Sequence, residues 1–145
     1  MLDPKFIGRA ENQTKTILQN ILQPEEIFAQ VPLLKLISKT DFDRLDIVIQ
    51  QHKFDFMLLR QNDVLVIEVN YKHRATAARR WLDIFTPYLK ASKVFGGKKI
   101  IPVAINDWDC TSLFKHDRSS TKPIRITDII DVCNALYTAG VKTCL

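Results

Sequence analysis

Residues 53–70, KFDFMLLRQNDVLVIEVN, constrain the fold of this chain more than any other stretch. Two apolar runs with alternating side chains flank the polar break RQND at 60–63. Such a pattern predicts a β-hairpin with strands near 53–59 and 64–70. With the turn centred on residues 61–62, the register places Asp55 opposite Glu68 and Lys53 opposite Asn70.

The alternation divides the predicted hairpin into two faces. One face is wholly apolar and is expected to pack in the core: Phe54, Phe56, Leu58, Leu65, Ile67 and Val69. The other face is polar at its far end, where Lys53, Asp55, Glu68 and Asn70 come together. Two directly opposed carboxylates repel each other, because their Cβ atoms lie about 4.5–5.5 Å apart. Either a hard divalent cation or a neighbouring lysine or arginine would compensate them, and the pattern alone leaves both readings open.

Helices are predicted on both sides of this hairpin. Residues about 10–22 show apolar positions at helical spacing, and Pro24 ends that helix. Residues 74–94 carry a second apolar stripe, in which Pro87 is expected to kink the helix or split it in two.

The segments between these elements give weaker signals. A strand is predicted through Val31, and another over 98–105. Residues 34–51 are ambiguous, with a possible helix capped by Thr40 or Asp41.

The C-terminal part is predicted to hold a loop and a last helix. Residues 106–123 are loop-like, and ITDIIDVCNALYTAG at 126–140 has helical spacing. Thr127 is a candidate N-cap, and Gly140 a candidate for the left-handed residue that follows the helix.

Length and composition indicate a single domain spanning residues 1–145. The element order predicts an α/β fold with a central mixed sheet of four to five strands, flanked by helices. No apolar run approaches the ~20 residues of a membrane span, and no apolar signal segment opens the chain, so a cytoplasmic protein is expected. Cys110, Cys133 and Cys144 form neither a zinc pattern nor a disulfide framework, which favours reduced thiols.

Charge gives a mild indication of the partner. The net charge is +5, which favours an acidic partner such as nucleic acid. The positive residues cluster after the hairpin: Lys72, Arg74, Arg79, Arg80, Lys98 and Lys99. A solvent-exposed face accounts for such a cluster about as well as a phosphate-binding one.

Five short motifs follow one another in a suggestive order: ENQTKTIL, QVPLL, HKFDF, IEVN and YKH. In that order the chain resembles the PD-(D/E)xK nuclease superfamily, which has the restriction-endonuclease-like fold. The setting is most similar to small members related to the very-short-patch-repair nucleases. The resemblance covers about residues 10–105 and leaves 106–145 as a C-terminal loop and helix.

The resemblance implies a role for individual residues. Asp55 and Glu68 would be ligands of Mg²⁺ or Mn²⁺, and Glu11 on the first helix would be a supporting acid. Asn70 stands where the family most often has a catalytic lysine, so Lys72 or Lys53 would supply the positive charge. The implied catalytic set is thus Asp55, Glu68, Asn70 and Lys72, and the implied nucleic-acid-binding set is Lys53, His73, Arg74, Arg79 and Arg80.

Three functions remain open at this point. The first is a metal-dependent nuclease that hydrolyses phosphodiester bonds in DNA. The second is a nucleic-acid-binding module that kept the fold and lost cleavage, as Asn70 would suggest. The third is a protein-interaction domain. Small members of this fold often dimerise, so a homodimer or a subunit of a larger complex is also expected, and no membrane partner is.

Overall fold

Four strands form one mixed sheet at the centre of the structure. The computed structural model describes residues 14–71, 77–108 and 126–141. The strands are β1 (Glu26–Pro32), β2 (Lys53–Leu59), β3 (Asp63–Tyr71) and β4 (Lys99–Trp108), and they lie in that order across the sheet. β2 is antiparallel to both β1 and β3, whereas β4 is parallel to β3.

Helices flank the sheet and connect its strands. They are α1 (14–22), α2 (Lys39–Asp43), α3 (Ile47–Gln50), α4 (Ala77–Ala91) and α5 (Ile126–Thr138). A short 3-10 turn, Leu33–Lys35, follows β1. The predicted mixed α/β architecture with a four-stranded sheet is thereby confirmed. Within the described residues, no helix is long and apolar enough to cross a membrane.

Two apolar clusters lie on opposite faces of the sheet. The α5 cluster joins α1 and α5 to the sheet through Leu18, Phe56, Ile67 and Leu136 among others. The α4 cluster joins α4 and the 33–49 segment to the other face, through residues that include Phe85. Burial on both faces explains why β2 and β3 carry nearly continuous apolar runs.

The predicted hairpin register is confirmed. Phe56 pairs with Ile67 and Leu59 pairs with Val64, so the turn is centred on residues 61–62 as the sequence indicated. Arg60 N donates to Asp63 O at 3.0 Å and closes that turn. A register shift of one residue would have moved each apolar side chain to the wrong face.

Phe54 departs from the predicted alternation. It is fully buried, but it packs in the α4 cluster rather than beside Phe56 in the α5 cluster. The neighbouring edge strand explains the change, because Gln30 has a left-handed backbone with φ +52° and lies between the paired residues Ala29 and Val31. Such a residue alters strand twist locally, and Gln30 is level with Asp55.

Three predictions about element ends need correction. β4 continues to Trp108, so 106–108 is strand and not loop. Ser38 rather than Thr40 or Asp41 caps α2, with its Oγ accepting from Asp41 N at 3.1 Å. Thr127 lies inside α5, which begins at Ile126.

Pro87 does not divide α4, which is one helix of 15 residues. Proline lacks the N–H that would bond to the carbonyl of Asp83. Both Pro87 and Asp83 are exposed, so water can solvate that carbonyl without cost to the core. Leu82, Phe85 and Leu89 form the buried stripe on the opposite side.

Gly140 ends α5 as predicted, with φ +81°. Val141 N donates to Leu136 O at 2.8 Å and Gly140 N donates to Tyr137 O at 2.9 Å, which is the Schellman arrangement. Leu136 and Val141 are both buried in the α5 cluster, so the motif also fixes where the chain leaves the helix.

Candidate active site

The two predicted acids meet at the end of the hairpin away from its turn. We call this region the open end; it comprises residues 52–55 of β2 and its approach, and residues 68–71 of β3. Asp55 N donates to Glu68 Oε1 at 3.2 Å, and Val69 N donates to Asp55 Oδ2 at 2.8 Å. Each carboxylate therefore accepts a backbone N–H of the opposite strand.

These bonds replace the regular pairing of the two strands. The ladder between β2 and β3 runs from Leu59–Val64 to Phe56–Ile67. Beyond that pair the side chains of Asp55 and Glu68 satisfy the backbone donors. Because each N–H has an acceptor, the strands can separate here without leaving a buried donor unsatisfied. The separation brings two acids into a space that a regular sheet would have closed.

Irregularities in the other strand pairs lie close to this point. Gln30 of β1, with its left-handed backbone, is level with Asp55. The pairing of β3 with β4 shifts register between Val69 and Tyr71, around Asn70. All three strand pairs thus lose regularity within two residues of Asp55 or Glu68, although Glu68 itself still pairs with Ala104 of β4. Such interruptions concentrate near functional sites, where they redirect side chains.

His52 is a site residue that the sequence analysis missed. Its Nε2 lies 3.2 Å from Glu68 Oε1, the same oxygen that accepts from Asp55 N. The side chains of His52 and Glu68 are only 10% and 7% exposed. An ionised carboxylate can only accept, so a hydrogen bond to ionised Glu68 requires the tautomer of His52 that carries a proton on Nε2. The imidazole, rather than a lysine, is the described partner of Glu68.

Two aromatic rings hold the imidazole in place. Phe85 of α4 stacks on His52 with centroids 4.9 Å apart and planes inclined by 27°, and Phe54 meets it edge-on at 4.8 Å. Phe54 and Phe85 also contact each other at 5.2 Å. The His52 backbone is fixed as well, since its carbonyl accepts from Leu33 N. The one signal in the sequence is the histidine in HKFDF, three residues before Asp55.

The other predicted site residues are only partly placed. Lys53 is exposed at the first position of β2. Asn70 lies in β3 at the register shift, and Arg79 and Arg80 lie in the first turn of α4. Glu11, Lys72, His73 and Arg74 lie outside the described residues.

The chemistry of the donors suits a hard cation, although the ligand set is small. Mg²⁺ takes oxygen ligands and is usually held by one or two carboxylates together with water and substrate phosphate. Asp55 N and His52 Nε2 both contact the same oxygen of Glu68, Oε1. The other carboxylate oxygen, Oε2, is contacted by neither of these two groups. Across 14–71, 77–108 and 126–141, no group of three or more His, Cys, Asp or Glu side chains could hold a metal ion.

Cys133 is a half-buried free thiol on α5. Burial raises its pKa, so the thiol stays protonated at neutral pH and is a weak nucleophile. It lies in the α5 cluster, on the face of the sheet away from His52 and Phe85. Cys110 and Cys144 lie outside the described residues.

No protein-family model, no curated protein and no solved structure matches the chain. Its function has to be inferred from the chemistry of its own residues.

Proposed function

We propose that this protein is a metal-dependent nuclease of the restriction-endonuclease-like fold, which hydrolyses phosphodiester bonds in DNA. The observation that supports it most is the meeting of Asp55 and Glu68 across the open end of the hairpin. Backbone N–H groups and His52 satisfy one oxygen of each acid, and a divalent cation would compensate the charge that the two carboxylates bring together. The pair lies on the two central strands, where their regular pairing stops, and this position is consistent with a site selected for chemistry.

Mg²⁺ or Mn²⁺ would be held by Asp55 and Glu68, with Glu11 as a further acid on the resemblance alone. When bound, such an ion lowers the pKa of a coordinated water and neutralises charge on a phosphate. The protein's own contribution is to fix the two carboxylates. Asp55 Oδ2 is held by Val69 N, and Glu68 Oε1 by Asp55 N and His52.

Positive groups near the open end would hold the DNA backbone. Lys53 is exposed beside the acids, and α4 begins within six residues of the end of β3. The N-terminus of a helix attracts phosphate through its free N–H groups and its dipole. Arg79 and Arg80 lie in that first turn, and their charge adds to the attraction. Asn70 carries no charge, so Lys53 or Lys72 would take the role of the usual lysine.

Cleavage of plasmid and single-stranded DNA with Mg²⁺ or Mn²⁺ tests the proposal. The informative variants are Asp55→Asn and Glu68→Gln, which keep the shape of each acid and one of its two acceptor oxygens, and remove its charge. Asp63→Asn is the matched control, since Asp63 is an acid of the same hairpin at its turn end. We expect metal-dependent cleavage by the wild type and by Asp63→Asn, and background cleavage by the other two. Equal products from all four proteins would refute the nuclease function.

A nucleic-acid-binding module without cleavage is the second candidate. Asn70 in the place of the usual lysine favours it, as does the small ligand set within the described residues. In that case the wild type binds DNA and cuts neither substrate. Contacts to phosphates make the affinity fall steeply with added salt. An affinity for DNA that is absent, or that does not change with salt, would instead favour the protein-interaction domain.

A further inference from the structure

We propose that His52 is a positioning residue for the metal site, which acts by holding Glu68 so that its second oxygen faces the cation. This inference rests on the proposed function and extends it to a residue outside the catalytic set. His52 would touch neither the metal ion nor the DNA. Its contact is with Oε1 of Glu68, at 3.2 Å.

The first argument is that Glu68 needs an orienting partner. A glutamate side chain has three rotatable bonds, and ordering it costs up to about 1.5–2 kcal/mol of side-chain entropy. Asp55 N donates to Oε1, and His52 Nε2 lies 3.2 Å from the same atom, so the two groups converge on that oxygen. Oε2 is the carboxylate oxygen that neither of these two groups contacts, and it is the one we assign to the cation. Carboxylates that bind metals are generally oriented by such hydrogen bonds to their other atoms.

The second argument is that His52 itself is held more firmly than a core histidine requires. Phe85 and Phe54 contact its ring on a face and on an edge, and the three rings form a closed set. These rings come from two different elements, β2 and α4, and both phenylalanines are fully buried. The imidazole therefore has one orientation in which Nε2 points at Glu68. Because packing holds the imidazole in place, its contact with Glu68 also holds the carboxylate in place.

The test compares two variants of His52, one that loses only the hydrogen-bond donor and one that loses only the aromatic ring. His52→Phe keeps an aromatic ring between Phe54 and Phe85 and removes the donor to Glu68. His52→Gln removes the ring and restores an N–H at a similar reach. Gln50→Met is the matched control, because Gln50 lies two residues upstream and its Nε2 donates to Phe42 O at 2.8 Å, away from Glu68.

The main readout is Mn²⁺ binding to the free protein, followed by the electron paramagnetic resonance signal of unbound Mn²⁺. We expect His52→Phe to raise the Mn²⁺ dissociation constant about 10- to 100-fold, which is the usual effect of removing a partner of a metal ligand. His52→Gln should recover most of the affinity, and Gln50→Met should match the wild type. Thermal melts show whether each variant is folded at the temperature of the titration.

Two further readouts separate this role from a purely structural one. Long-range proton–nitrogen spectra of the wild type should show a protonated Nε2 on His52. Cleavage by His52→Phe should lose turnover while its apparent affinity for DNA stays near that of the wild type.

The outcomes distinguish this inference from the proposed function. A wild type that binds Mn²⁺ and cuts DNA, together with a folded His52→Phe of unchanged Mn²⁺ affinity, would overturn the inference alone. A wild type that neither binds Mn²⁺ nor cuts would overturn the proposed function and the inference with it. Loss of affinity in His52→Gln, with His52→Phe at the wild-type value, would assign the effect to ring packing and would also overturn it.

Discussion

At the turn of the β2–β3 hairpin, Asp63 Oδ1 lies 2.8 Å from Arg60 Nε; at the open end, Glu68 Oε1 lies 3.2 Å from His52 Nε2. Both are acid–base contacts within one hairpin, but their surroundings differ. The side chains at the turn are 26% and 16% exposed, against 10% and 7% at the open end. Asp63 Oδ1 is close to Nε without an aligned hydrogen bond, so that contact is a plain ion pair.

The backbone explains what each acid does. At the turn, Arg60 N bonds to Asp63 O, and Lys98 Nζ bonds to Arg60 O at 2.8 Å, so backbone groups close the hairpin without help from the acid. At the open end, the carboxylate of Glu68 accepts a backbone N–H of the opposite strand. Backbone groups close the turn, and the acid there adds only an ion pair. At the open end, the carboxylate of Glu68 itself supplies a hydrogen bond between the two strands. The predictions below test that difference.

The largest expected effect comes from removing an aromatic ring behind the open end. Phe85→Ala should lower the free energy of unfolding by about 3–5 kcal/mol, because Phe85 is fully buried and leaves a cavity. Phe56→Ala is the control: it is equally buried, but it lies in the α5 cluster on the other face. Denaturant unfolding measures both losses.

The two substitutions should differ at His52. Phe85→Ala removes the ring stacked on the imidazole, so the His52 resonances should shift and broaden, whereas Phe56→Ala should leave them nearly unchanged. If Phe85→Ala unfolds the protein, Phe85→Leu makes the same comparison at a smaller cost. Unchanged His52 resonances in a folded Phe85 variant would show that the stack does not hold the imidazole.

A smaller effect separates the two acids themselves. Glu68→Ala leaves the N–H of Asp55 without its acceptor in a part-buried position, which should cost about 1–3 kcal/mol. Asp63→Ala removes a more exposed ion pair and should cost about 0.2–1 kcal/mol. Urea unfolding of the two variants gives both values. Equal losses would contradict the view that only the open end depends on its acid.

The sequence predicts the hairpin, its register and the positions of its acids, because these features depend on local residue patterns. Alternating apolar residues and a polar turn fix the register that places Asp55 against Glu68. The left-handed end of α5 was likewise visible in Gly140. These features depend on residues that are close together in the chain.

The contacts that the sequence did not predict depend on tertiary structure. Phe54 changes face because the adjacent strand has a left-handed residue at Gln30, and nothing in the residue type announces that. His52 contacts Glu68 and stacks on Phe85, residues that are 16 and 33 positions away in the chain. The short helices α2 and α3 were ambiguous because helices of four or five residues have little stability of their own. Phe42, Leu45 and Ile49 hold that segment against the α4 cluster.

The smallest effect tests whether the backbone at Gln30 serves the open end. Gln30 and Gln23 both have left-handed backbones, with φ +52° and +45°. A left-handed residue with a side chain costs about 1–2 kcal/mol, and glycine recovers this at an entropic cost of about 0.5–1 kcal/mol. Each substitution to glycine should therefore stabilise the protein by about 0.5 kcal/mol, measured by urea unfolding.

Only one of the two should affect the site. Gln30 is level with Asp55, whereas Gln23 precedes β1 near the end of the sheet where Glu25 N bonds to Leu59 O. Glycine at position 30 frees the backbone beside Asp55, so Mn²⁺ affinity should fall in Gln30→Gly and stay constant in Gln23→Gly. A stabilised Gln30→Gly with full affinity would show that the left-handed residue shapes the edge strand alone and that β2 and β3 position Asp55 without it.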